Sequence, residues 1–341
     1  MPIHLVYRAE SVGPICRRLA SLDDRIRAIH EDELREDAVL SRPIQTVPPP
    51  VDPLTAIWNR AREGATAFTR LSPHRDSATQ VSRLMEELSH VEAALRIPAP
   101  VAPPQPVPER QVIVRWGSRW EGAADAVINS TEAVSIARDK RESRRILSGI
   151  CPTTWTLRGQ IQVPCVIRPR RHHAANKFFV CRTQADIDLA IRRCGPGWYA
   201  SQLIEKAHEY RVFVLQGRVV CVSERFPADA SAVAWNLAAG GRLINVKRKS
   251  WPIAACNASI LAARRVGLDW TAVDVVTDRD GRALVLEVNT APGLKNPYTM
   301  EQIAWALGSV AETPTLPALP ASAADWQTLI HPSLVSTDDA N

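Results

Sequence analysis

The feature that most constrains the fold is a hairpin in residues 271–289, TAVDVVTDRDGRALVLEVN. Two apolar runs flank Asp280 and Gly281, a dipeptide favoured in two-residue type I′ turns. If these two residues form the loop, Asp274 lies directly opposite Glu287 on one sheet face. The period of two along a strand places Asn289 on the same face. The sequence therefore predicts an interior strand pair that presents two carboxylates and an amide together.

This trio of oxygen-bearing side chains predicts a metal site. Two opposed carboxylates between apolar residues repel each other, and one pKa rises unless cations lie between them. Carboxylate and amide oxygens are the ligands that Mg²⁺ prefers. The alternative is a surface hairpin whose acids only meet water. The apolar neighbours argue against it: Val273, Val275, Val285 and Leu286.

The segment around the hairpin resembles a known family. GLDWTAVDVVTDRDGRALVLEVNTAPGL, residues 267–294, is similar to the magnesium-binding end of the ATP-grasp superfamily, in its ribosomal-protein glutamate ligase and D-alanine–D-alanine ligase branches. The resemblance implies that Asp274, Glu287 and Asn289 hold Mg²⁺, or Mn²⁺ in its place, against the phosphates of ATP. Pro292 and Gly293 then border the acceptor pocket.

The resemblance extends upstream and covers residues 111–307. ARDKRESRRIL implies a phosphate-binding Lys140, and PCVIRP carries Arg168 where the family has a second lysine. EYRVFVLQG implies that Arg211 points at the phosphates. SQLIEK resembles the hinge between the lobes, which implies adenine contacts by Gln202, Leu203 and Ile204 and a ribose contact by Glu205. NLAAGG implies that three residues lie near the γ-phosphate and the acyl group: Asn236, Gly240 and Gly241. Alone, these segments also fit a solvated helix, a plain strand and a glycine turn.

Two departures from the family pattern stand out. The loop over the phosphates is usually glycine-rich, but no glycine lies between Arg168 and Phe179. The hypothesis is that His172, His173 and Lys177 supply side-chain donors in place of backbone N–H groups; the alternative is a mobile basic loop. A zinc site at the histidine pair lacks spaced Cys or acidic partners. An arginine usual in the family is replaced by Ala234, for which Arg225 or Arg242 could substitute.

The chain of 341 residues suits two or three packed subdomains. A strand at residues 3–7 and a helix at 12–22 predict a reduced Rossmann-like opening. A helix at 79–97 and a proline-rich linker at 97–110 follow, and a single helix is predicted at 131–147. The predicted divisions are an N-terminal region 1–110, an ATP-grasp N-lobe 111–205, a C-lobe 206–311 with the metal site, and a flexible tail 312–341.

Composition narrows the class of protein. With 45% hydrophobic and 23% charged residues, the chain is neither disordered nor membrane-spanning in type. The N-terminus lacks a secretory signal core, so the seven cysteines are interpreted as reduced thiols in the cytoplasm. A net charge of +6 fits ATP, an acidic substrate or weak nucleic-acid contact, and equally a solvated surface.

The combined prediction is an α+β protein with the ATP-grasp fold, in which two α+β subdomains grip ATP. The function that the resemblance implies is an ATP-dependent carboxylate–amine ligase acting through an acyl phosphate. Its partners would be a small-molecule or peptide carboxylate and an amine. Two alternatives stay open: an ATP-dependent phosphotransferase without ligation, and a degenerate ATP-binding or interaction protein.

Overall fold

The N-terminal part of the chain forms a parallel sheet. The computed structural model describes residues 2–33, 83, 86, 111–122, 124–171, 177–229, 232–235 and 240–310. Strand β1 (Ile3–Tyr7) is buried throughout, and helix α1 (Gly13–Ala20) follows it with a proline in its first turn. Strands β2 (Ile26–His30), β3 (Val112–Trp116) and β4 (Ala126–Ile128) complete the sheet in the order β2-β1-β3-β4. The predicted strand–helix opening is present, and its sheet includes strands from beyond residue 110.

The second sheet is antiparallel and has the order β5-β8-β6-β7. Its strands are β5 (Thr154–Trp155), β6 (Cys165–Pro169), β7 (Phe179–Cys181) and β8 (Trp198–Gln202). Helix α4 (Gln184–Cys194) covers it and begins with a reciprocal capping box between Thr183 and Asp186. Apolar residues of the helix and the strands form a small separate core under this sheet.

The third sheet is antiparallel and larger, with the order β11-β10-β9-β12-β13. It contains β9 (His208–Leu215), β10 (Arg218–Phe226), β11 (Arg242–Asn245), β12 (Trp270–Thr277) and β13 (Ala283–Asn289). Helix α5 (Ile253–Val266) packs on it and ends at Gly267, whose φ of 78° is the left-handed cap that glycine favours. Helix α6 (Pro297–Gly308) follows and starts at the Asn296 cap.

The β12–β13 hairpin differs from its prediction at the turn. Asp278 N–H donates to Arg282 O and Gly281 N–H donates to Asp278 O, so the loop has three residues, with Gly281 at a φ of 78°. This is a type I turn followed by a left-handed glycine, and not the predicted two-residue I′ turn. A β-bulge then shifts the register between Val275 and Asp274, so Asp274 still faces Glu287. The predicted pairing is correct because the two differences cancel.

The single helix predicted at residues 131–147 is wrong. The structure has two helices, α2 (Thr131–Arg138) and α3 (Lys140–Ile146), separated by Asp139 in an extended conformation. The Asp139 carboxylate accepts from the N–H of Glu142, which caps α3, and it also forms an ion pair with Arg170. The break therefore ties the start of α3 to the end of strand β6.

Buried polar bonds join the first sheet to the third. Asn129 is fully buried with a φ of 68°, and its amide group bonds the backbone O and N of Trp270 at 2.8 and 2.9 Å. The Trp116 and Trp270 rings lie 4.9 Å apart beside it. These contacts fix the carboxyl end of β3 against the edge of the third sheet.

Gly117 is the tightest point of this junction. It has a φ of 72°, and a Cβ atom there would lie 2.7 Å from the Ala291 Cβ. Gly117→Ala is therefore expected to reduce the free energy of unfolding by about 2 kcal/mol or more, through backbone strain and steric overlap together. The matched control is Gly149→Ala, because Gly149 has a φ of 86° and open space around it. Urea unfolding of both variants checks this, and equal losses would contradict the overlap.

Some predictions concern residues that the structure does not describe. The helix at 79–97, the linker at 97–110 and the tail at 312–341 lie outside the described residues, apart from two isolated positions. Outside residues 41–109, the described chain forms one compact unit, and the predicted domain boundaries stay predictions. Among the described helices, none is both long and apolar enough to cross a bilayer.

Candidate active site

Charged side chains cross the third sheet on one face. Asp274 of β12 pairs in register with Arg211 of β9 and with Glu287 of β13. Arg211 donates two hydrogen bonds to the Asp274 carboxylate, at 2.8 and 2.9 Å, and Arg225 donates to both of its oxygens at 3.0 Å. Asn289 Nδ2 lies 3.4 Å from the same carboxylate. The predicted trio of Asp274, Glu287 and Asn289 is therefore brought together on one face.

Asp274 is ionised although it is buried. Burial alone would raise its pKa, but the charges of Arg211 and Arg225 outweigh burial and hold the pKa well below its usual value. Arg225 is anchored from the other side by Glu209 at 2.6 Å, and Lys206 contacts Glu209 at 2.7 Å. The acidic and basic side chains thus alternate in one network under the sheet face.

Glu287 is compensated by a different cation. Lys140 Nζ lies 2.8 Å from Glu287 Oε1 and also donates to the backbone oxygens of Ala137 and Val288, at 2.9 and 3.3 Å. Lys140 is the first residue of α3, directly after the Asp139 break. The interruption of the helix therefore positions this lysine against β13.

A cavity of about 240 Å³ opens between the second and third sheets over this charged face. Arg168, Tyr199 and Ser201 line it from the second sheet, and Arg211, Asp274, Glu287 and Asn289 from the third. Arg168 stacks on the Phe178 ring at 5.5 Å, and burial lowers the pKa of its guanidinium. The cavity is thus walled by cations next to two carboxylates, a setting suited to a ligand with several anionic groups and bound metal ions.

The strand end that joins the two sheets borders the same cavity. Gln202, Leu203 and Ile204 all line it. The N–H of Gln202 donates to Thr153 O at 2.8 Å and that of Leu203 to Pro164 O at 3.2 Å. Among described residues, Ile204 N–H has no acceptor, which leaves this donor and the neighbouring carbonyls to bind a planar base.

Other predicted site residues lie away from this cavity. Glu205 is exposed and faces Arg279 at 3.8 Å, while the next residue, Lys206, lines the cavity. Lys177 is exposed at a φ of 51°, and with Gly240 and Gly241 it is absent from the described lining. Asn236, His172 and His173 lie outside the described residues, so their roles stay predictions.

Sequence reasoning missed Lys206 and Glu209 and named Arg225 only as a substitute. Arg225 does reach the site, whereas Arg242 is exposed on the edge strand β11. Lys206 also lies 4.7 Å from the centre of the Trp235 ring. The sequence did contain a signal: Glu209 and Arg211 alternate along an apolar strand, so they share a face. No group of three or more His, Cys, Asp or Glu residues suited to a metal occurs in the part of the chain that is described.

The decisive comparison is with protein families. Residues 114–307, more than half of the 341, match a family described as an ATP-grasp domain, the third family of its clade. The chain belongs to this ATP-grasp family. The match includes all three members of the metal-site trio and both sheets that enclose the cavity. The sequence prediction of an α+β ATP-grasp fold is confirmed.

Solved structures of similar fold include peptide-bond-forming enzymes. VanG D-Ala:D-Ser ligase from Enterococcus faecalis is 16% identical over 52% of this chain and 60% of its own, with a TM-score of 0.42. D-alanine–D-alanine ligase from Bacillus anthracis is 13% identical over 86% and 88%, with a TM-score of 0.48. Macrocyclase MdnC from Microcystis aeruginosa MRC, bound with precursor peptide MdnA, is 13% identical over 91% and 100%, with a TM-score of 0.48. No curated protein matches the chain in sequence.

Proposed function

We propose that this ATP-grasp protein is an ATP- and Mg²⁺-dependent ligase that activates a carboxylate as an acyl phosphate and joins it to an amine. The observation that carries the proposal is the face formed by Asp274, Glu287 and Asn289, which borders a cavity walled by Arg168 and Arg211. A carboxylate that attacks the γ-phosphate of ATP approaches an anion, so such a reaction depends on positioned positive charge.

The donor set fits a magnesium ion. Glu287 offers a carboxylate and Asn289 an amide oxygen, the hard ligands that Mg²⁺ takes together with phosphate oxygens. Asp274 already accepts four hydrogen bonds from Arg211 and Arg225, about as many as a carboxylate has lone-pair sites. We therefore assign Glu287 and Asn289 as the residues that would hold the metal, and Asp274 as a ligand only once a guanidinium withdraws. When bound, Mg²⁺ would neutralise charge on the β- and γ-phosphates.

The chain's own residues would supply the rest of the charge and the positioning. Ile204 N–H is placed to bind the base, and Arg168 and Arg211 are placed to hold the phosphates as bidentate donors. Lys140 would hold Glu287 in position and add a point charge. An oxygen of the substrate carboxylate bonds to the γ-phosphorus while the bond to the β-phosphate oxygen breaks, and ADP leaves. The amine nitrogen then attacks the acyl carbon, phosphate leaves and the amine loses a proton.

Oxygen labelling tests this sequence of bonds. The purified chain is incubated with Mg-ATP, an amine and candidate carboxylates labelled with ¹⁸O, and inorganic phosphate is analysed by mass spectrometry. The expected result is one ¹⁸O atom per phosphate released, because the labelled oxygen stays on phosphorus when the acyl carbon–oxygen bond breaks. ADP release should require the amine for sustained turnover.

The alternatives give different results in the same assay. A phosphotransferase would release ADP without an amine and leave the label in a stable phosphorylated product. A degenerate binding protein would bind Mg-ATP in calorimetry without releasing ADP. Unlabelled phosphate in every reaction would refute the acyl phosphate.

A further inference from the structure

A second cavity lies beside the first and is lined by arginines. Its volume is about 430 Å³, and we name it the arginine cavity after four of its lining residues: Arg8, Arg119, Arg138 and Arg171. Arg8 and Arg119 follow the carboxyl ends of β1 and β3, the edge of a parallel sheet where ligands bind in open α/β folds. Arg138 ends helix α2, and Arg171 follows strand β6. The cavity is therefore assembled from four segments that are distant in sequence.

Both cavities share one wall. Glu287 and Asn289 line the arginine cavity as well as the cavity between the second and third sheets, and Lys140 lines the arginine cavity beside them. A ligand in the arginine cavity thus lies next to the residues assigned to the metal, on the side away from the base-binding strand end. This is the position from which an acid can reach the terminal phosphate.

Positive charge in the arginine cavity exceeds negative charge. Arg8 pairs with Glu31 at 2.9 Å, and Lys140 pairs with Glu287. Within the described parts of the chain, no carboxylate forms an ion pair with Arg119, Arg138 or Arg171. Burial lowers the pKa of Arg138, and the charges of Arg119, Arg8 and Arg171 lower it further, against an opposing effect of Glu31. The guanidiniums repel one another, and a bound anion would remove that repulsion.

We propose that the carboxylate substrate carries a second anionic group, which the arginine cavity binds while the first carboxylate is activated beside Glu287. This inference rests on the proposed function and adds its substrate class: a small acid with two anionic groups. A single carboxylate directed at the phosphate leaves Arg119 and Arg138 uncompensated, whereas a second one can accept a bidentate pair from a guanidinium. The volume of about 430 Å³ lies within the range of small-molecule sites, about 300–1,000 Å³.

Calorimetry with matched ligand pairs tests the inference on the full chain, with and without Mg-ADP. The pairs differ in one anionic group: glutarate and pentanoate, L-glutamate and L-glutamine, O-phospho-L-serine and L-serine. We expect the doubly anionic member of at least one pair to bind about tenfold more tightly or better. The first two pairs report on a second carboxylate and the third on a phosphate.

Arginine variants assign the preference to the cavity. The double variant Arg119→Gln/Arg138→Gln should lose most of it, about tenfold. The control Arg192→Gln/Arg193→Gln removes the same charge from exposed positions of α4 and should keep it. Equal or absent binding within every pair, or a preference that survives in the first double variant, would overturn the inference. Mg-ADP binding in parallel titrations reports separately on the proposed function, so the two failures are distinguishable.

Discussion

Glu287→Gln is expected to reduce metal-dependent turnover by about 10²-fold or more while leaving the protein folded. The substitution keeps the shape of the side chain and removes the charge that would hold Mg²⁺ against phosphate. The Glu287 side chain is 26% exposed, and its partner Lys140 retains two backbone acceptors, at Ala137 and Val288. The loss of unfolding free energy should therefore stay near 1 kcal/mol.

Two measurements separate these effects. ADP release at saturating Mg-ATP reports on turnover, and urea unfolding reports on stability. The matched control is Glu142→Gln, which removes an equally charged acid from the exposed pair with Arg145 on α3. This control should keep turnover within about twofold, because exposed pairs contribute little. A Glu287→Gln variant with wild-type turnover would remove Glu287 from the site.

The hairpin illustrates what a sequence can and cannot predict. The apolar alternation and the Asp280-Gly281 dipeptide predicted a hairpin and placed Asp274 opposite Glu287. The loop is one residue longer than predicted, and a bulge in β13 restores the register. Turn chemistry is local and readable, but a bulge depends on the partner strands. Here β12 is held on its other side by β9.

The break at Asp139 could have been read from the sequence. Asp139 is followed three residues later by Glu142, the spacing of a helix N-terminus. The helical periodicity of residues 131–147 concealed it, because α2 and α3 both continue the pattern. The consequence is functional, since the break starts α3 at Lys140 and turns that lysine towards Glu287.

The arginine network and the arginine cavity were harder to predict for a physical reason. Arg225 reaches Asp274 only because β9 lies between β10 and β12 in the sheet. Arg8 and Arg138 meet only because the first sheet docks on the third through Asn129 and Trp270. Such contacts depend on the order of strands and on the packing of sheets, which no local pattern encodes. The family resemblance identified the trio and Arg211 but gave no indication of these partners.

Asp274→Asn should affect stability most, in contrast to Glu287→Gln. The substitution keeps the shape but leaves Arg211 and Arg225 without the carboxylate that compensates them, in a site where Asp274 is only 5% exposed. Breaking a buried ion pair by removing one partner typically costs about 3–5 kcal/mol. We expect a loss of this size in urea unfolding at neutral pH.

The acid dependence of unfolding provides a second measurement. The pKa of Asp274 is lower in the folded chain than the unfolded value of about 3.9, so its stabilisation is present above that value. The wild type should lose this stabilisation as the pH falls below about 4, and the variant should lack that part of the decline.

A double-mutant cycle identifies the cause of the Asp274→Asn effect. Arg225→Met removes one of the two stranded guanidiniums, and Glu209 keeps Lys206 as its partner at 2.7 Å. If uncompensated charge is the cause, Asp274→Asn/Arg225→Met should be more stable than the sum of the single losses by about 1–3 kcal/mol. Strict additivity, or an Asp274→Asn variant as stable as the wild type, would show that the arginines do not depend on this carboxylate. Asp274 would then be assigned to metal binding alone.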